Sequence, residues 1–255
     1  VPNTPTTPSP KMKFCNVNTE ALKGYALDHP EKFPRLAPYV DLLRQPIPID
    51  LEGFDSEFKE ARDAGKLSIP RESLLLFGTS HDGEYIINTT RVIDHDATDA
   101  RSLSDAEVVG RRQCAELERF LRSHVPGFAN ALLEFTGPSV GVRGSRQLVG
   151  CYTLTARDIL ERRTFSSVIA HSAYPIDIHN PKGEGTDSTF MSEPGTYYSI
   201  PYEIMVCPEV ANLVAVGQAG GVAAAIAMVG GGDTRTVDVK TVQQALKEQG
   251  AYLDL

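Results

Sequence analysis

The chain has 255 residues, enough for one large domain or two small ones around a real core. Hydrophobic residues at 41% and charged residues at 23% give the balance of a globular protein. A net charge of -8 excludes a general nucleic-acid binder or a binder of anionic membranes, both of which need a basic face.

Cys15, Cys114, Cys151 and Cys207 are scattered, with neither a C-x-x-C pair nor histidines at metal spacing. That pattern reads as four reduced thiols in a cytoplasmic protein. No apolar run is long enough to span a bilayer, and the first residues lack a charged-then-apolar signal. The expected partner is a small-molecule substrate, with no nucleic acid and no membrane, and the composition is compatible with a homo-oligomer.

In chain order, "VPNTPTTPSP" (1–10) is proline among small polar residues and is expected to be a linker or disordered lead-in. "KMKFCNV" then reads as a strand. Asn18 opens a helix bearing Leu22, Tyr25 and Ala26, stopped by Pro30, and a second short helix covers Ser56 to Ala64 up to Gly65. "SLLLFG" and "EYIINTTRVI" are β-rich runs joined through "TSHDG", where Asp82-Gly83 suits a hairpin turn. Ser80, His81 and Asp82 in that turn are adjacent, so they cannot face one another as a hydrolase triad must.

"DHDATDARS" offers Asp94, His95, Asp96 and Asp99 without the glycine and late glutamate of a calcium loop, and reads as a solvated acidic loop. Ser104 and Glu107 have capping-box spacing, predicting a helix from Ser104 to His124 with Leu117, Phe120 and Leu121 on its apolar stripe. "LLEFTGPSVGVRGSRQLVGCYTLT" reads as two strands around a glycine-bearing bend. A second capping box, Thr155 with Asp158, opens a short helix through Arg162.

Within "GVRGSRQLVG", Arg143 and Arg146 are either a pair of planar forks for one anion, if the chain bends there, or two surface arginines on a strand edge. In "SAYPIDIHNPKG", Asp177 and His179 share a strand face, as a proton-transfer pair or as a polar edge, with Tyr174 beside them. "NLVAV" (212–216) is a continuous apolar run, expected as a parallel strand buried on both faces. It runs into a helix of small residues whose start, with Gly217, Gly220 and Gly221, suits either an anion or cofactor edge or close helix packing. The last helix runs from Asp238 to Gln249, with Val239, Val242 and Leu246 on its stripe and Gly250 as its stop. The class is α+β.

Several stretches, in order, resemble one family: "IPRESLLLF", "NTTRV", "GRRQ", "FLRSHVPGF", "GVRGSRQLVGCYTLT", "YPIDIH", "IPYEIMV", "NLVAV" and "GQAGGVAAAIA". They are similar to the FAD-dependent oxidoreductases related to fumarate reductase and succinate dehydrogenase flavoproteins, over roughly residues 11–255. The resemblance implies a mixed-sheet substrate-binding domain at 11–165. It also implies a C-terminal segment at 166–255 that returns, strand then helix, to a Rossmann-like FAD domain. The family's opening dinucleotide-binding fold has no counterpart here, and its loop across the flavin is missing between Val216 and Gln218. Gly144 stands where the family usually has glutamate.

On this resemblance Gly217, Gln218, Ala219, Gly220 and Gly221 approach FAD. Arg143 and Arg146 face the flavin or an anionic substrate, and Tyr174, Asp177 and His179 border the same cleft. The implied reaction is hydride transfer between a small substrate and the flavin. The competing expectation, favoured by the missing fold and Gly144, is a non-catalytic fragment or paralogue that binds a ligand or partner. An unrelated hydrolase built on Asp177 and His179 ranks last, for want of a nucleophile motif.

Overall fold

In the computed structural model, residues 9–179, 186–189, 195–215 and 217–253 are described, with 178, 179 and 186–189 as backbone only. They divide into two compact units, one running through Arg146 and the other starting at Gln147; His179 and Thr186 are counted with the first.

The first unit begins with β1 (Met12–Cys15) and α1 (Thr19–Asp28). The Asn18 side chain accepts from the Ala21 amide and caps α1, which ends just before Pro30. Short 3-10 turns, Pro30–Lys32 and Pro34–Arg44, lead to β2 (Asp50–Gly53), α2 (Asp55–Asp63), β3 (Leu74–Gly78) and β4 (Tyr85–Ile87). The long α3 (Ala100–His124) and β5 (Leu132–Thr136) complete the unit.

The five strands form one sheet in the order β2-β3-β4-β1-β5. Every described pairing in it is antiparallel, so the sheet is not the mixed one expected. β3 returns as β4 through the turn at Gly83 (φ +73°), and β1 is inserted antiparallel between β4 and β5. Alternation decides which face is buried: Leu74, Leu76, Tyr85, Ile87, Met12 and Phe14 all point into the core. There they meet Leu117, Phe120 and Leu121 of α3 and the fully buried Phe58 and Phe128.

Three details differ from the sequence reading. α3 starts four residues early because the Asp99 side chain accepts from the Ser102 amide, while Ser104 lies inside the helix with its hydroxyl on the Ala100 carbonyl. Ser9 and Pro10 are packed rather than loose. Ser9 exchanges backbone hydrogen bonds with Gly141 (3.2 and 3.1 Å), and the Pro10 carbonyl accepts from Thr90 Oγ1 at 2.6 Å. The second strand expected after β5 is absent, because residues 142–154 run as irregular, largely exposed chain.

From Gln147 on, the chain forms α4 (Ala156–Leu160), β6 (Val168–Ser172), β7 (Ile176–His179), β8 (Thr186–Thr189), β9 (Tyr198–Pro201), α5 (Gln218–Gly230) and α6 (Val239–Glu248). The expected Thr155–Asp158 capping box is formed at α4. β6 pairs antiparallel with β9, and β7 and β8 form a separate two-stranded sheet. Val242 and Leu246 of α6 pack with Ala219 and Ala223 of α5 against Ile169, Tyr202 and Met205. The parallel strand expected at "NLVAV" does not form among the described residues, and Val216 lies outside them. Its backbone neighbour is the chain at Met205–Cys207, which runs antiparallel (Ala215 N to Met205 O, 2.8 Å), and Leu213 is 46% exposed.

Candidate functional site

α5 is helical because its residues are small and unbranched around Val222 and Ile226, and Gly231 (φ +66°) stops it. Only Ala219, Gly220, Ala223 and Ala227 are buried, while Met228 and Val229 are 78% and 85% exposed. A helix apolar on all sides but covered on one is unusual.

Gly217 occupies the N-cap without any side-chain cap, and the first intrahelical bond is Gly221 N to Gly217 O at 2.9 Å. The amides of Gln218, Ala219 and Gly220 therefore have no acceptor inside the helix. A Cβ added at Gly217 or Gly221 would meet nothing within 4 Å, so a flat group can approach the backbone there. Gly220 is different, since a Cβ would fall 2.4 Å from the Ala215 carbonyl oxygen. Gly220 serves packing, Ala219 turns its methyl into the core, and Gln218 donates to Gln249 at 3.0 Å. Among the described residues, what this opening offers a ligand is amides without an acceptor and the positive end of a helix dipole.

Of the polar residues expected to act, Tyr174 and Asp177 come together, with the Tyr174 hydroxyl 3.3 Å from Asp177 Oδ2. Both belong to the second unit, and Tyr174 is 65% exposed. His179 ends β7, with its side chain outside the described part of the structure. Arg143 and Arg146 lie on exposed chain of the first unit, and neither makes an ion pair among the described residues.

Two further arginines of the first unit were not singled out from the sequence. Arg71 is 7% exposed and Arg91 is 2% exposed. Arg71 Nη1 donates to the Asn88 carbonyl at 3.2 Å, while its Nε and the neighbouring Asn88 Oδ1 are buried without a partner among the described residues. Its basicity is pushed down to about 10 by burial first, and then by the positive charge of Arg91, with Arg143 adding to it and Glu52 and Glu72 opposing. Arg91 is fixed by Gln113, whose amide accepts from its N–H (3.0 Å) and donates to its carbonyl (2.7 Å). The available cue was their place in "IPRESLLLF" and "NTTRV", two of the stretches that carry the resemblance.

Among the described residues no group of three potential ligands could hold a metal, no helix is long and apolar enough to cross a membrane, and all four cysteines are free. The chain matches no curated protein and no solved structure. It does match a family model described as FAD dependent oxidoreductase, over residues 32–216. That span is well over half of the sequence, so the chain belongs to the FAD dependent oxidoreductase family, whose cofactor is FAD.

Proposed function

We propose that the chain supplies the substrate-binding part (11–165) and a flavin-contacting segment (166–255) of an oxidoreductase similar to fumarate reductase flavoproteins, acting on a small anionic substrate. The observation that carries the reading is the uncapped, glycine-lined start of α5 in a chain of this family. FAD, when bound, exchanges a hydride with the substrate. The amides of Gln218, Ala219 and Gly220 would hold the electron-rich edge of its ring, and the open backbone at Gly217 and Gly221 fits that approach. The uncovered apolar side of α5, with Met228 and Val229, supports a further dinucleotide-binding part packing there.

On the substrate side, Arg143 and Arg146 would orient an anion, and neither is tied to a carboxylate of the chain among the described residues. Asp177, with Tyr174 as its hydrogen-bond donor and His179 two residues on, would hold or pass the proton that accompanies transfer.

A visible absorption spectrum of the purified protein, before and after denaturation, tests the reading. A flavin band is expected. A colourless protein that takes up no added FAD overturns it, and the chain is then a ligand- or partner-binding module without flavin.

A further inference from the structure

We infer that Cys151 and Cys207 form a dithiol site, which a hydroperoxide oxidises to a reversible disulfide. The two are 56 residues apart in the chain, yet the second unit lays their backbones side by side. Cys151 N donates to the carbonyl of Val206, the residue before Cys207, at 2.9 Å, and Tyr152 N donates to Glu203 O at 3.2 Å. Glycine at 150 permits this approach: a Cβ there would fall 2.7 Å from Ile204 O and 2.9 Å from Glu203 O. The hydrogen bond fixes how far apart the two cysteines can be. A carbonyl oxygen lies about 2.8 Å from the next α-carbon, so the α-carbons of Cys151 and Cys207 are at most about 7 Å apart. Native disulfides span roughly 4.4–6.8 Å between α-carbons.

A third residue brings the side chains to one place. Arg235 is held by Asp233, with Nε at 3.0 Å and Nη2 at 2.6 Å from Oδ2, and its Nη1 donates to the carbonyl of Pro208 at 3.4 Å. Its basicity is raised by Asp233 first, and in lesser degree by Cys151 and Cys207, so one guanidinium is within electrostatic reach of both thiols. The pair is also unequal in access. Cys151 is exposed, while Cys207 is 9% exposed. An oxidant therefore meets Cys151 first, and Cys207 lies behind it as the resolving thiol. Cys114 offers a contrast in the first unit, where burial pushes its thiol up to about 11 and leaves it unreactive.

The chemistry closes with one peroxide. The Cys151 sulfur, as thiolate, attacks one oxygen of the hydroperoxide; an S–O bond forms, the O–O bond breaks, and the released hydroxide leaves as water with the thiol proton. The Cys207 sulfur then attacks the Cys151 sulfur. An S–S bond forms, the S–O bond breaks, and the second hydroxide leaves as water with the Cys207 proton. The two thiols lose two electrons, and hydrogen peroxide is reduced to two waters. The product ties residues 150–152 to the chain that forms the Val206–Val214 bridge, shortly before α5. No step needs flavin, so the site stands or falls separately from the oxidoreductase reading.

The test uses the reduced full chain and stoichiometric hydrogen peroxide, followed by alkylation, proteolysis and peptide mass mapping. The expected product is a peptide pair joined through Cys151 and Cys207, absent after treatment with dithiothreitol, with Cys114 still a thiol. Cys207→Ser should stop at the sulfenic acid of Cys151, read as its dimedone adduct. Cys151→Ser changes an exposed side chain, so it tests the site even if Cys207→Ser fails to fold; it should slow oxidation of Cys207 roughly tenfold or more. The proposal is overturned if the treated wild type carries no Cys151–Cys207 link, or if Cys207 oxidises as fast in Cys151→Ser. It is equally overturned if Cys151 goes on to the sulfinic acid with Cys207 untouched, or links instead to a second chain, seen as a dimer on a non-reducing gel.

Discussion

Gly220 and Gly221 are chain neighbours, yet they call for opposite outcomes on substitution. Gly220→Ala drives a methyl against the Ala215 carbonyl oxygen, a backbone atom that cannot step aside, and should cost about 1–3 kcal/mol. Gly221→Ala meets open space inside a helix and should gain up to about 1 kcal/mol by propensity alone. Thermal unfolding of the two variants checks the signs. If the α5 start meets the flavin, Gly221→Ala has a second effect, weaker FAD binding in a more stable protein; unchanged affinity would remove Gly221 from the cofactor surface. The spacing of these glycines was legible in the sequence. Their division of labour was not, because it depends on where a carbonyl outside the helix falls. Arg71 and Arg91 were hidden for the same reason. Twenty residues separate them in the chain, and only the β3–β4 return brings them into range.

At the scale of the element, capping shows what a local pattern can decide. S-x-x-E at Ser104 has the right letters for a helix start, but Asp99, five residues earlier, takes the capping role. Asp99→Ala should therefore destabilise the protein by about 1 kcal/mol, while Ser104→Ala should cost nothing measurable. Denaturant unfolding that ranked the two the other way round would restore Ser104 as the cap.

The Thr155–Asp158 box was legible and is real, and it is wired further than the pattern suggests. Asp158 also accepts from Tyr152 Oη at 2.8 Å and Arg163 Nη1 at 3.1 Å. These contacts, the Thr155 hydroxyl first, hold its carboxyl well below the usual carboxylate range. A depressed native value means that the unfolded chain takes up the proton first. The contribution is present above about pH 4 and is lost as pH falls below it. Asp158→Asn should lower the Tm at neutral pH and flatten its decline on acidification; a variant that tracks the wild type through the acid range would sink the idea. "NLVAV" marks the limit of such reading, since an apolar run states a wish for burial but not the neighbour that supplies it.

For the whole molecule, the α+β class followed from alternating helix and strand patterns, but the sheet order did not. β1 lies between β4 and β5, partners some 70 and 120 residues away, and no local signal encodes a pairing across that distance. Once formed, those pairings make the first unit's core self-contained. All the buried residues of that core fall between Met12 and Ala131. Residues 9–146 include them, together with the Ser9–Gly141 closure and the arginines at 71, 91 and 143.

A chain limited to 9–146 should therefore fold by itself, with one cooperative thermal transition. Phe128 is a sharp probe of whether that fold is native. It is fully buried, with ring centroids 5.8 Å from Phe14 and 6.1 Å from Tyr85, so it ties β1, β4 and the end of α3 together. Phe128→Ala should cost about 3–5 kcal/mol in the fragment and a similar amount in the same unit of the full chain. A fragment that binds hydrophobic dye and melts without a transition would mean that this core is incomplete alone.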